Sequence, residues 1–152
     1  MNAIDCPFIY FDKIINDLCL PDSKNQIIIV DFHAESSREK EALGHYVDGR
    51  AALVAGTHTH VQTADERLLP EGTAYITDLG MTGITNSVIG MDVKICMERM
   101  RKQVMYRMEP ATLSAAAPAA LPVAEKGSET SVQGIIAEFD AESGKAVSVR
   151  RI

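Results

Sequence analysis

His58 and His60 stand two residues apart in Gly56-Thr57-His58-Thr59-His60, and His33 sits in Asp31-Phe32-His33-Ala34-Glu35. Neutral imidazole is the commonest protein ligand for Zn, Mn and Fe. A His-x-His pair alone is a weak sign, because most histidines are simply surface residues or satisfied in a core. Here the context adds to it. Each group follows an apolar run that reads as a strand: Ile27 to Val30 before His33, and Ala51 to Ala55 before His58. In an extended chain residues i and i+2 point to the same side, so His58 and His60 are expected to face one site. His33, His58 and His60 are the candidate metal ligands, expected together at one edge of a sheet. The fourth histidine, His45, falls on the polar face of a helix and is expected to take no part.

Asp31 and Glu35 flank His33, and either carboxylate could accept a hydrogen bond from a ligating imidazole and so orient it. For Glu35 a charge at a helix start or a solvated side chain is an equal alternative. Thr59 belongs to a polar loop, with Thr57, Gln62, Thr63, Asp65 and Glu66, that could hold its own shape or touch substrate. Asp78 ends a third apolar run and leads into Gly80-Met81-Thr82-Gly83. In open α/β sheets ligands bind at the carboxyl ends of the strands, which is where these residues should lie. No G-x-S-x-G nucleophile motif, Walker loop or G-x-G-x-x-G is present. The chemistry open to this chain is therefore metal-borne. Three neutral imidazoles fix a cation but cancel none of its charge. A two-metal hydrolytic centre normally adds carboxylates, with the ions about 3.5–4 Å apart, and no motif for those carboxylates is evident.

The elements that must position these residues alternate. Phe8 to Leu20 has near-helical apolar spacing. Ile27 to Phe32 is a strand, whose continuous apolar character predicts burial on both faces. Ser36 starts a helix, with Glu39 at capping-box spacing and Ala42, Leu43, Tyr46 and Val47 as its apolar face. Ala51 to Ala55 is the second strand, and Gly56 permits a tight exit from it. Leu68 to Gly72 is a turn, and Thr73 to Asp78 a third strand. Asp92 caps a helix reaching about Val104, with apolar positions 93, 96, 97, 100 and 104. Glu109 to Ser131 is rich in Ala and Pro and reads as a mobile excursion. Val132 to Phe139 and Ala146 to Ile152 form a hairpin.

With 152 residues the chain makes one domain with a real core. Its 46% hydrophobic and 24% charged residues are ordinary for a globular protein. A net charge of −6 leaves no broad basic field to hold nucleic acid. No apolar run approaches the roughly 20 residues of a membrane span, and Met1 to Asp5 carries no secretory signal. Cys6, Cys19 and Cys96 are widely spaced and read as reduced thiols of a cytoplasmic protein.

Three blocks, VDFHAESSREKEALGHYVDGR, VAGTHTHVQTADERLLPEGTAYITDLGMTG and NSVIGMD, resemble the YmdB-like metallophosphoesterases of bacteria, members of the calcineurin-like phosphoesterase superfamily. The resemblance runs from Pro7 to Val104 and resumes in the final hairpin. It implies an α/β fold: half of a four-layer α/β/β/α metallophosphoesterase sandwich, with residues 1–152 a partial domain. It implies hydrolysis of phosphodiesters such as 2′,3′-cyclic nucleotides, with two divalent metal ions, Fe or Mn, with Zn as the alternative. By resemblance His33 and His58 ligate one ion and His60 the other. Family members are nearly twice as long, and their N-terminal half carries the acidic ligands, an asparagine ligand and the histidine that protonates the leaving oxygen. No catalytic proton donor is therefore expected in this chain, which looks like the C-terminal half. Its expected partners are the phosphodiester, an N-terminal half in trans and a second copy of itself.

Two other readings compete. A metal-dependent amidohydrolase also ends a strand in His-x-His, but its barrel runs about 250 residues, and here the pair follows the other histidine. A catalytically inactive half, binding a metal or a partner, is the non-enzymatic alternative.

Overall fold

The structure is a computed structural model that describes residues 5–18, 26–112 and 130–152. Helix α1 (Pro7–Leu18) comes first. Strand β1 (Ile29–His33), helix α2 (Ser37–Tyr46) and strand β2 (Leu53–Thr57) follow as a β-α-β unit. Ser36 caps α2 by accepting from Glu39 N, 3.3 Å away, as the capping-box spacing predicts. β3 (Arg67–Leu68) and β4 (Ala74–Ile76) form a short hairpin closed by Gly72 N donating to Leu69 O. The four strands lie in the order β1-β2-β4-β3. β1, β2 and β4 are parallel and β3 is antiparallel.

Each face of this sheet is covered. Val54 and Tyr75 face the helices and join Phe11, Leu43 and Val47 in one core cluster. Leu53, Ala55, Ala74 and Ile76 face the other way and pack on Ala146, Ile135, Phe139 and Val149. Those residues belong to the hairpin β7 (Ile135–Phe139) and β8 (Ala146–Arg151). The alternation along β2 and β4 is the two-residue period of a strand buried on both sides. The result is three layers: helices, sheet, hairpin. Between them in sequence lie β5 (Gly83–Ile84), paired with β6 (Thr130–Ser131), and helix α3 (Val93–Lys102).

Three sequence expectations need correction. β1 is not buried on both faces: it is the sheet's edge, and Ile29 is 60% exposed. The buried residues of α2 are Lys40, Leu43 and Gly44, with Val47 following. Ala42 and Tyr46 are exposed, because the i, i+3, i+4, i+7 stripe starts one turn earlier, on a lysine. α3 stops at Lys102, where Gln103 turns left-handed, and of its five apolar positions only Cys96 is buried. The Ala/Pro-rich stretch is tied at both ends. Asp92 N donates to Glu109 O, Ala111 N to Gly90 O, and Thr130–Ser131 form β6. Residues 113–129 of that stretch lie outside the described residues, as does Cys19; Cys6 and Cys96 are free thiols.

Candidate metal centre

The register of two strands builds the site. In the β1–β2 pairing His33 sits opposite Thr57, the last residue of β2, and His58 comes next. Thr57 Oγ1 is 3.1 Å from Asp31 Oδ1 and 3.1 Å from His33 Nδ1. A carboxylate only accepts, so the single hydroxyl proton goes to Asp31 and the hydroxyl oxygen accepts from His33 Nδ1–H. His33 thereby carries its proton on Nδ1 and presents the Nε2 lone pair. That Nε2 lies 3.2 Å from His58 Nδ1, with the two rings edge-on at 5.0 Å between centroids. Two nitrogens that share one ion at about 2.1 Å each stand roughly 3.0–3.4 Å apart for bond angles between octahedral and tetrahedral. The pair fits a shared cation. The same spacing also serves an imidazole–imidazole hydrogen bond with His58 donating.

His60 is held differently. Its Nδ1 donates to Ile89 O at 2.9 Å, which leaves Nε2 as the nitrogen open for ligation. The extended-chain rule does not carry past Thr57. The backbone turns at His58 (φ 132°) and again at His60 (φ 62°), so one ring meets His33 and the other meets the Val88–Gly90 turn. Positive φ at non-glycine residues is uncommon and strained, and clusters at functional sites. Among the described residues no group of three His, Cys, Asp or Glu side chains is gathered for one ion. The structure brings His33 and His58 together and holds His60, on the same loop as His58, against Ile89 O.

Asp78 anchors that loop. The residue is fully buried; its Oδ2 accepts from Thr59 N at 2.8 Å and from Lys40 Nζ at 2.9 Å, and its Oδ1 from Gly80 N at 3.0 Å. Burial pushes the Asp78 pKa up, but the hydrogen bonds from Thr59 N, Lys40 and Gly80 N outweigh it, and the carboxyl sits below its ordinary value. Lys40 reaches Asp78 from α2, itself 0% exposed. Its stem passes over Gly56, where an added Cβ would lie 2.8 Å from Lys40 Cδ and 1.8 Å from Thr77 O. Gly56 is required by close approach of its neighbours, and the conformational freedom expected of it is secondary.

Of the other candidates, Asp31 acts on His33 only through Thr57. Glu35 is exposed beside Ser36 and Arg38, and among the described residues no hydrogen bond joins it to an imidazole. His45 is exposed in the last turn of α2. Lys40 escaped sequence reasoning because a charged residue is expected outside a core. The signal was its place on the stripe with Leu43, Gly44 and Val47. No helix among the described residues is long and apolar enough to cross a membrane.

Fold and site together define an α/β protein whose parallel strands deliver histidines to one sheet edge. The family described as "YmdB-like protein" matches residues 1–152, and the chain belongs to that family. It is 42% identical over 152 residues to the 2′,3′-cyclic-nucleotide 2′-phosphodiesterase of Bacillus subtilis (strain 168), covering 100% of this chain and 51% of that protein. The chain thus spans about half the length of this curated relative. A crystal structure of a hypothetical protein from Thermus thermophilus superimposes with a TM-score of 0.76 at 32% identity, over 100% of this chain and 52% of that one. A crystal structure of a novel phosphatase from Mycoplasma pneumoniae gives 0.77 at 31% identity, over 96% and 45%. The three layers seen here therefore correspond to about half of a larger α/β sandwich, as the resemblance implied.

Proposed function

We propose that this chain supplies His33, His58 and His60 to a metal-dependent phosphodiesterase acting on 2′,3′-cyclic nucleotides or similar phosphodiesters. The observation that carries the reading is the His33 Nε2–His58 Nδ1 pair, 3.2 Å apart at the carboxyl ends of adjacent parallel strands. The proposed division gives His33 and His58 to one divalent ion and His60, through Nε2, to a second. The family resemblance makes iron or manganese the expected occupant, with zinc as the alternative; imidazole donors alone do not select among them. Such ions supply Lewis-acid stabilisation of charge on the transferring phosphoryl oxygens. The chain's own residues do the positioning. Thr57, backed by Asp31, fixes the His33 tautomer; Ile89 O fixes that of His60; Asp78 and Lys40 hold the loop between His58 and His60. Three imidazoles do not complete two coordination shells; the family resemblance assigns further donors, and the group that protonates the leaving oxygen, to the N-terminal half of longer family members.

The test is manganese binding followed by turnover. Mn²⁺ should broaden the imidazole NMR signals of His33 and His58 in this chain, and His58→Ala should abolish the effect at His33. Hydrolysis of 2′,3′-cyclic AMP should appear when the half of the Bacillus relative that this chain lacks is supplied with Mn²⁺. Broadening that survives in His58→Ala, or full turnover by this chain alone, would refute the proposed division of ligands.

A further inference from the structure

A cavity of about 460 Å³ adjoins the histidine loop, and His60 is part of its wall. Its apolar lining comes from Val61, Met81, Ile84, Val88 and Ile89, and its polar lining includes Thr85, Ser87, Ser131 and Gln133. None of its lining residues is acidic or a lysine or arginine. The volume falls in the usual range for small-ligand sites, roughly 300–1,000 Å³. Larger concavities beside α3 are lined by Lys94 and Glu98 and include no histidine.

The wall beside His60 is built and held. Ile89 carries φ 49°, a left-handed conformation that a β-branched residue adopts only under constraint. Ser87 Oγ supplies part of that constraint, donating to Ile84 O at 2.6 Å and accepting from Gly90 N at 2.9 Å. The strained turn has two products. Its carbonyl aims His60, and the Ile89 side chain becomes cavity wall. Val61, Val88 and Ile89 remain 58%, 39% and 48% exposed, so branched apolar groups sit in water next to a candidate metal ligand. Met81 adds an adaptable surface. A Cβ at Gly90 would lie 3.0 Å from its sulfur, so that glycine leaves room for the thioether. Methionine follows irregular shapes and makes favourable contacts with aromatic rings.

We infer that this cavity binds the nucleoside part of the phosphodiester, with the base against Met81, Ile84 and Ile89 and the phosphate directed to His60. The inference rests on the proposed phosphodiesterase reading and names the site that selects its substrate. A partly apolar cavity with several polar side chains and no acidic, lysine or arginine lining suits a flat heterocycle that must also be hydrogen-bonded. It does not suit the phosphate itself, which would need cations.

Methyl NMR of the 152-residue chain, without metal, tests this. Adenosine and adenosine 2′-monophosphate should shift the Met81, Ile84 and Ile89 methyl signals, and inorganic phosphate should not. Ile84→Asp should weaken adenosine binding at least tenfold. Val61→Asp, at an exposed position that leaves the core untouched, should weaken adenosine 2′-monophosphate binding as well. Methyl signals unmoved by adenosine at about 10 mM, well above a millimolar Kd, would overturn the inference. So would equal shifts with inorganic phosphate, or binding to both variants as tight as to the unaltered chain. The Mn²⁺ broadening at His33 and His58 is read separately. If it fails while adenosine still moves the methyls, the metal reading falls and the nucleoside site stands.

Discussion

Lys40→Met is the most informative single substitution in this chain. Methionine keeps most of the lysine's length and volume, so the stem over Gly56 stays filled and no large cavity opens. What is removed is the ammonium group 2.9 Å from Asp78 Oδ2, in a pair whose side chains are 1% and 0% exposed. Removing one partner of a buried pair costs about 3–5 kcal/mol, because the other charge is left uncompensated. Asp78 keeps its bonds from Thr59 N and Gly80 N, which places the cost near the lower end. At about 3 kcal/mol and 2–4 °C per kcal/mol for a chain of this size, the midpoint should fall by roughly 6–12 °C. The pH dependence supplies a second reading. The folded-state pKa of Asp78 is depressed, so its contribution is full above the unfolded value, near 4, and is lost as pH falls through the lower folded value. Losing Lys40 raises the folded value, and acid unfolding should begin at a higher pH. Thermal unfolding followed by circular dichroism between pH 3 and 7 measures both. A midpoint within about 2 °C of the unaltered chain, with an unchanged acid limb, would refute the idea that this pair anchors the histidine loop.

The Thr57 hydroxyl should matter by its bonds and not by its bulk: Thr57→Val should weaken Mn²⁺ binding by about 10–100-fold in calorimetric titration, while Thr57→Ser restores it. Gly56→Ala should destabilise the chain by roughly 3 kcal/mol in urea unfolding, since the added methyl overlaps backbone that cannot retreat. His45→Gln, on the exposed side of α2, should leave the Mn²⁺ affinity unchanged by the same titration.

The β-α-β alternation was legible because its signals are local: β-branched runs, a capping box, turn glycines. The three histidines were legible as residues at strand ends, and Asp78 as the end of a third strand. What sequence could not supply was conformation after a strand stops. His58 and His60 look like alternate residues of an extended chain, yet positive φ at both sends their rings to different partners. Burial was misjudged for two further reasons. An apolar strand reads the same whether central or at an edge, and Ile29 turned out to lie at the edge. A lysine reads as solvated until its carboxylate partner, Asp78, is known to lie 38 positions away. Thr57 could be named as a polar loop neighbour, but its bridging role depends on the inter-strand register, which no local pattern encodes.

That register has a consequence for how the chain finds its fold. Val30 and Phe32 of β1, with Ile28 just before it, pack toward the helix-side core, while the alternate residues include Asp31 and His33. A slip of one residue against β2 would exchange the two sets. Phe32 would turn to water, Asp31 and His33 would be driven into an apolar layer, and the Asp31–Thr57–His33 chain would be broken. The alignment that completes the core is thus the one that sets His33 against Thr57. Strand pairing is proofread twice, once by hydrophobic burial and once by polar chemistry. Any copy that passes the first check arrives with His33 already set against Thr57.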